Sequence, residues 1–345
     1  MEKIVFLVPY YGKFPDYFQE WVYSASFLKE QNIEFFLITD IKIDFSLPEN
    51  IKVINLRFEQ LKEKIQNKFD FNITLPAPYN LCDYKPALGY VFEKEIEEYS
   101  FWGNCDIDQV WGNVRKFITD DILNNYDRIN FLGHFILYRN CQKINEAFKL
   151  SGAIYDYKKV YSSPVHFSFC EHSGMMKIIV ENEISNYITN DYADLSPRYE
   201  RTYISRVKNY KYQILFWHKG RVLRKYIDET GKIGTDEFMY FHFQQKHPKS
   251  LNCITNGKFL DSFIYHAQGF QEFDCENITK ETIIQNSDFI SFKKDKQQKN
   301  IYLKKKFTKF FSLPLQNKVL WIKQRIATRE LIKNKEYFGE KYSNL

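Results

Sequence analysis

Asp106 and Asp108 stand one residue apart, directly after Tyr99-Ser-Phe-Trp-Gly-Asn-Cys105, a short aromatic and apolar run. Such a run reads as a buried strand, and ligands of an open α/β sheet bind at the C-terminal ends of its strands. Two carboxylates this close repel each other, and a divalent cation relieves the repulsion. Their hard oxygens suit Mg²⁺ or Mn²⁺ better than zinc, and a cation held there can neutralise a diphosphate. A solvated Asp pair at a strand-to-loop turn is the plainer reading of the tripeptide. The polar stretch 109–115 that follows, with Gly112 and Asn113, favours a site.

Other residues could serve the same chemistry. A first strand ends in Pro9-Tyr10-Tyr11-Gly12, where either tyrosine could stack on a base or simply pack in the turn. Asp40 ends the second strand and could accept from a base or ribose hydroxyl, or cap a turn. In Leu81-Cys82-Asp83-Tyr84-Lys85-Pro86, Asp83 is a candidate helix N-cap. Lys85 would lie near the positive helix end, where an anionic partner such as phosphate rationalises it as well as plain exposure does. His242 sits in an apolar strand, Phe238 to Phe243, four residues before Lys246. It reads as a core histidine or as a third metal ligand, with Lys246 on phosphate. Glu171 and His172 mark a polar loop suited to acceptor binding, acid–base work or capping of the next helix.

The elements that must position these residues alternate in the α/β manner over the first 140 residues. Strands are expected at 4–8, 34–39, 51–56 and 99–105, with helices at 15–29, 58–68 and 85–98 around a Pro-rich loop at 75–79. Further strands are expected at 128–131 and 135–138, flanking Gly133-His134, and helices at 143–149 and 174–183. A hairpin is expected from 212–217 and 221–227 around His218-Lys-Gly220, and a strand at 238–243. No internal repeat is visible.

At 345 residues, 44% hydrophobic and 18% aromatic, the chain can bury a substantial core. The joint enrichment of Lys, Ile, Asn, Phe and Tyr is what an AT-rich genome produces, although rings also stack on sugars. The first nine residues read as a strand broken by Pro9 rather than a secretion signal, and no run approaches a membrane span. Six scattered cysteines without a Cys-x-x-Cys pair give the expectation of reduced thiols in a cytoplasm. The net charge of +6 is uneven: Lys293 to Lys335 hold fourteen Lys or Arg against two acids, leaving about minus six for the rest. The division expected is therefore 1–290 as one domain and 291–345 as a basic amphipathic tail.

Taken together, these stretches resemble a little-characterised group of bacterial GT-A-type glycosyltransferases associated with capsule or O-antigen assembly. The matching segments are Val8 to Pro15, Phe36 to Asp40, Pro78 to Gly89, Phe101 to Asp108, Gly112 to Phe117, Gly133 to Asn140 and Glu237 to Gln244, in that order over residues 4–250. The resemblance implies a Rossmann-like GT-A fold with a mixed central sheet. It implies Asp106, Asp108 and His242 around Mn²⁺ or Mg²⁺, with Asp108 and Glu171 in catalysis. Pro9, Tyr10, Tyr11, Asp40, Asp83, Lys85, Asp106 and Lys246 would hold the nucleotide sugar, a UDP-hexose by preference. His134, Glu171 and His172 would meet the acceptor, a glycan or lipid-linked oligosaccharide. One departure stands out: the family pattern has Phe-Asp-Glu where this chain has Phe169-Cys170-Glu171, one carboxylate instead of two.

The tail segments 301–311 and 319–326 mix basic, aromatic and apolar residues as interfacial helices do. An anionic membrane surface on the inner face of the cytoplasmic membrane is the expected partner, and nucleic acid is not. Two other classes fit parts of the sequence. Asp106-Ile-Asp108-Gln-Val110 matches the start of an aspartyl phosphatase signature, without its later Gly-Asp-x-x-x-Asp motif, and a non-catalytic glycan-binding protein on the same fold is the other.

Overall fold

In this computed structural model, which describes residues 1–254, 257 and 260–332, Ile4–Pro9 forms β1 with every side chain from Ile4 to Val8 buried. A strand covered on both faces reads as an unbroken apolar run, not as an alternation. β2 (Ile33–Thr39) is buried except at Glu34, and β4 (Phe101–Cys105) is wholly buried with Asn104 as its polar residue. With β3 (Ile51–Asn55), β6 (Arg128–Ile129), β7 (Phe135–Arg139) and β8 (Asn186–Tyr187) they form a seven-stranded sheet in the order β3-β2-β1-β4-β7-β6-β8. The first four strands of that order are parallel, and β7 runs antiparallel to both β4 and β6.

The pleat sends alternate β1 residues into two cores. Ile4, Phe6 and Val8 meet Trp21, Phe35, Trp111 and Phe135 on one face, while Val5 and Leu7 meet Phe36, Leu88, Trp102 and Tyr138 on the other. The first face is closed by the helix Phe18–Ser26, whose Trp21 meets Phe35 edge-on with centroids 5.0 Å apart. Gly89 lies so close to the Trp102 ring that a Cβ there would stand 2.1 Å from it. This contact seats the segment after Lys85 tightly on the second face.

Two smaller sheets complete the body. One is three-stranded, with β13 (Tyr240–His242) between β5 (Gln109–Trp111) and β9 (Ala193–Asp194). The other is antiparallel, in the order β12-β11-β10-β14-β15: β10 is Gln213–His218, β11 Arg221–Ile227, β12 Ile233–Phe238, β14 Ser262–His266 and β15 Gly269–Glu272. The expected hairpin is β10–β11, turning at Lys219 and Gly220 with φ of 44° and 77°, the left-handed pair a two-residue turn requires.

The mixed α/β plan, with a mixed central sheet and a helical C-terminal region, agrees with the GT-A-like expectation. Several elements differ. The helix expected over 143–149 is a turn of α-helix (Gln142–Asn145) and a 3₁₀ turn (Ala147–Lys149), and the strand expected over 128–131 is only Arg128–Ile129. The strand expected over 238–243 is split at Met239 between the end of β12 and β13. The helix expected over 85–98 is reduced to a 3₁₀ turn (Lys85–Ala87) and one α-turn (Leu88–Val91). The helix expected over 15–29 begins only at Phe18 and ends at Ser26.

The tail consists of helices Phe292–Ser312 and Leu315–Ile332, separated at Leu313-Pro314. Ser291 caps the first by accepting from the Lys294 N–H at 3.2 Å. The tail folds back onto the body: Leu320 is buried in the second core, and Gln324 donates to the Phe167 carbonyl. The remainder of the expected tail, 333–345, lies outside the described residues. Among the described residues no helix is long and apolar enough to cross a membrane. All six cysteines are free.

Candidate metal centre

The chain leaves β1 to build β2 and β3 on one side and later adds β4 on the other, so a topological switch point lies between β1 and β4. Crevices at such points bind ligands. Tyr10 follows the end of β1 and Asp106 follows the end of β4, placing both at this crevice. Tyr10 is partly buried and its phenol is raised, first by burial and then by the Asp108 charge. Pro9, Tyr11 and Asp40 sit at the same strand ends, Asp40 exposed after β2.

The three-stranded sheet brings in ligands from far along the chain. His242 pairs with Gln109 across β5 and β13, and with Asp194 across β9 and β13. The N–H of Phe243 donates to the Asp108 carbonyl at 3.0 Å, extending that pairing by one residue. This register alone sets Asp108, His242 and Asp194 side by side. Nε2 of His242 lies 3.3 Å from Asp108 Oδ1, and its Nδ1 lies 2.9 Å from Asp194 Oδ1. Asp194 also accepts from Gln244 Nε2 at 2.6 Å.

Asp106, Asp108 and His242 each offer a ligand atom within 4.8 Å of the others. His134, Asp194 and His242 do so as well, but all three are buried. Only the first group reaches solvent, with the Asp106 and Asp108 side chains 37% and 21% exposed, and only it can share a cation with a substrate. The donor set fits a divalent ion of the Mn²⁺ or Mg²⁺ kind: two carboxylates, with an imidazole that suits Mn²⁺ the better. The Asp194 carboxylate holds the Nδ1 proton of His242, turning the Nε2 lone pair toward the carboxylates, the usual support of a metal-binding histidine.

Electrostatics agree with this geometry. Burial opposes a charge on His242, but Asp108 and then Asp194 outweigh it and push the imidazole up to about 10. Burial likewise opposes the Asp194 charge, and His242 holds that carboxyl down at about 2. In the metal-free protein the imidazolium thus supplies positive charge between two carboxylates, where a cation would otherwise supply it.

Lys85 is the second source of positive charge. Its ammonium lies 2.5 Å from Asp106 Oδ1 and donates to the Gly133 carbonyl at 2.8 Å. It is buried, not displayed on a first helical turn, and its anionic partner within the protein is Asp106 itself. Burial disfavours its charge, but Asp106 overrides this and raises it above the usual lysine range.

Several residues singled out in the sequence lie elsewhere or act differently. Asp83 is buried and caps no helix. Its oxygens accept from the Phe167 and Phe169 N–H groups at 2.7 and 2.8 Å, with His166 Nδ1 at 3.1 Å. This clamps the segment that delivers Glu171. Partly buried, Glu171 is raised by burial, against the Gly133 backbone and Lys85, and it feels Asp106. A Cβ built on Gly133 would stand 3.4 Å from Glu171 Oε1 and 3.9 Å from Lys85 Nζ. His134 is buried behind His242, stacked on it at 4.4 Å, and its Nδ1 meets the Tyr240 hydroxyl at 3.0 Å. Such a ring is positioned to support His242, not to touch an acceptor. His172 packs edge-on against Phe131 at 4.9 Å and is lowered to about 4 by burial, then by Arg206 and Arg128. Lys246 donates to the carbonyls of Tyr199, Glu200 and Arg201 at 2.8, 3.0 and 3.1 Å, so its ammonium shapes a loop and pairs with neither Asp106 nor Asp108. Asp194 had no signal of its own in the sequence.

A model of a family of unknown function, DUF6625, matches residues 6–274. No curated protein matches. Matching solved structures include a mutant Drosophila β1,4-galactosyltransferase 7 in complex with manganese, UDP-Gal and xylobiose, 12% identical with a TM-score of 0.29, over 55% of this chain and 66% of that one. Mouse xyloside xylosyltransferase 1 in its apo form is 10% identical with a TM-score of 0.33, over 56% of this chain and 88% of that one. The galactosyltransferase LgtC in complex with donor and acceptor sugar analogues is 11% identical with a TM-score of 0.29, over 56% and 76% respectively.

Proposed function

The chain belongs to this family of unknown function, DUF6625, and we propose that it is a divalent-metal-dependent glycosyltransferase. It moves a hexose from a nucleoside diphosphate sugar, UDP by preference, to a hydroxyl of a cell-surface glycan such as capsule or O-antigen, or of its lipid-linked precursor. The observation that carries the reading is the convergence of Asp106, Asp108 and His242 at the switch point between β1 and β4.

In this reading Asp106, Asp108 and His242 hold Mn²⁺ or Mg²⁺, which supplies Lewis-acid stabilisation of the departing diphosphate. Asp194 keeps the Nδ1 proton of His242 in place, and so keeps Nε2 directed at the carboxylates. Lys85 lies where it can exchange Asp106 for a donor phosphate oxygen, adding positive charge as the leaving group forms. Tyr10 and Tyr11 flank the base, with Asp40 toward the ribose. The anomeric C–O bond breaks with its electrons going to the diphosphate, and the acceptor oxygen bonds to the same carbon. Retention follows if the acceptor proton passes to the donor phosphate, and Glu171 would meet the acceptor. Product NMR distinguishes retention from inversion.

The tail exposes Ile301, Phe307, Phe311, Leu315 and Ile326 among its lysines. This supports peripheral attachment to an anionic cytoplasmic membrane face. A thermal-shift screen of UDP, GDP, CDP and ADP, each with and without Mn²⁺, tests the donor assignment. A metal-dependent rise with one nucleotide is expected, and no shift with any of them would overturn the reading.

A further inference from the structure

A cavity of about 1270 Å³ lies between the body and the first tail helix. Lys294, Gln298, Ile301, Lys305 and Lys309 recur along that helix at three- and four-residue spacing and all line it, as one face of a helix does. The opposite wall carries Arg198, Arg201, Lys246 and His247. Three acids also line the cavity, and each is already engaged. Asp295 pairs with Arg201 at 2.8 Å, Glu200 accepts from Gln298 at 2.6 Å with Lys294 at 3.7 Å, and Asp288 accepts from the Thr202 N–H at 2.6 Å.

What remains is cationic. Among the described residues no ion pair engages Arg198, Lys305, Lys306 or Lys309. Burial and then the Arg325 and Arg198 charges disfavour the Lys306 ammonium. A concave surface with so many unbalanced cations concentrates anions, and a phosphate group, with several acceptor oxygens, can satisfy several of them at once. The chain links the cavity to the candidate metal centre through one short segment. Lys246 and His247 line the cavity four and five residues after His242, and the N–H of Phe243, directly after His242, donates to the Asp108 carbonyl.

We propose that this cavity binds the phosphate or diphosphate group of a phosphate ester, and that the ester is the acceptor whose sugar hydroxyl reaches the metal centre. The role as acceptor rests on the glycosyl-transfer reading; the binding does not. The ester is carried either by a lipid or by a free phosphorylated saccharide.

Calorimetry of inorganic pyrophosphate with the full chain in EDTA tests the site without metal or donor. The comparison is between wild type, Asp108→Asn, and the triple variant Arg198→Ala/Lys305→Ala/Lys309→Ala, whose three side chains are exposed. Binding should persist in Asp108→Asn and weaken by roughly tenfold or more in the triple variant. No binding to wild type, or loss in Asp108→Asn with retention in the triple variant, would overturn the proposal. Vesicles of phosphatidylcholine with and without phosphatidic acid separate the sources. Binding that needs phosphatidic acid, is competed by pyrophosphate and is lost in the triple variant assigns a lipid phosphate; pyrophosphate binding without vesicle binding assigns a free ester. Failure of glycosyl transfer would appear instead as absent metal-dependent nucleotide binding, with pyrophosphate binding in EDTA intact.

Discussion

Nδ1 of His242 lies 2.9 Å from Asp194 Oδ1, across the parallel pairing of β9 with β13. Both side chains are buried, and the opposite edge of the imidazole faces Asp108. A two-residue strand thus decides which nitrogen of His242 is available to a cation. Asp194→Asn keeps the volume but removes the charge that fixes this tautomer. It should weaken Mn²⁺ binding by roughly 10- to 100-fold with an unchanged far-UV spectrum; unchanged affinity in calorimetry would remove Asp194 from the account.

The His242 imidazole, raised to about 10 from 6.5, fixes a pH dependence for the metal-free protein. Its folded value exceeds its unfolded value. The stabilisation is therefore fully present below 6.5 and lost as the pH rises through 10. In EDTA, the stability gap between wild type and His242→Gln in urea should narrow steadily over that window. A gap independent of pH would show that the imidazole is not charged between the carboxylates. Because a cation must displace the Nε2 proton, Mn²⁺ affinity should rise over the same range.

Glu20, which is not among the candidate metal ligands, offers a second titration. Burial raises its carboxyl to about 6, against hydrogen bonds from the Leu251 N–H at 2.6 Å and the Ser250 hydroxyl at 2.9 Å. The folded chain therefore holds a proton that the unfolded chain has released, and stability falls as pH rises from 4.5 through 6. The loss is on the order of 2 kcal/mol. Glu20→Gln should abolish that fall, measured as the urea midpoint on either side of the window; an identical fall in the variant would place the titration elsewhere.

Lys85 both anchors and repels. Lys85→Met leaves Asp106 without its partner, and should cost about 1–3 kcal/mol of stability. The Gly133 carbonyl retains Asn104 Nδ2 at 2.8 Å as a donor. With the ammonium gone, Mn²⁺ alone should bind more tightly while UDP in the presence of Mn²⁺ binds less tightly. Parallel weakening of both would mean that Lys85 only supports the local structure.

The first half of the fold was legible because β1, β2 and β4 are short, mostly apolar runs followed by polar residues. Asp106 and Asp108 could be placed at a strand end from that pattern alone. The break in the helix expected after Lys85 was not legible, because periodicity does not register a tertiary contact such as that of Gly89 with Trp102. Asp194 was invisible for a different reason: β9 is two residues long, too short for any periodic signal, and its partner His242 is 48 residues away. Asp83 read locally as an N-cap and is instead spent on backbone more than 80 residues further on. Long-range register, not local pattern, decides these roles.

Electron paramagnetic resonance of Mn²⁺ with UDP tests the central claim most directly. Wild type should show an immobilised Mn²⁺ signal coupled to the diphosphate phosphorus. Asp108→Ala should leave the ion free in solution while the protein still melts cooperatively. An immobilised, phosphorus-coupled signal of equal strength in Asp108→Ala would contradict the assignment of the metal and donor diphosphate to Asp106, Asp108 and His242.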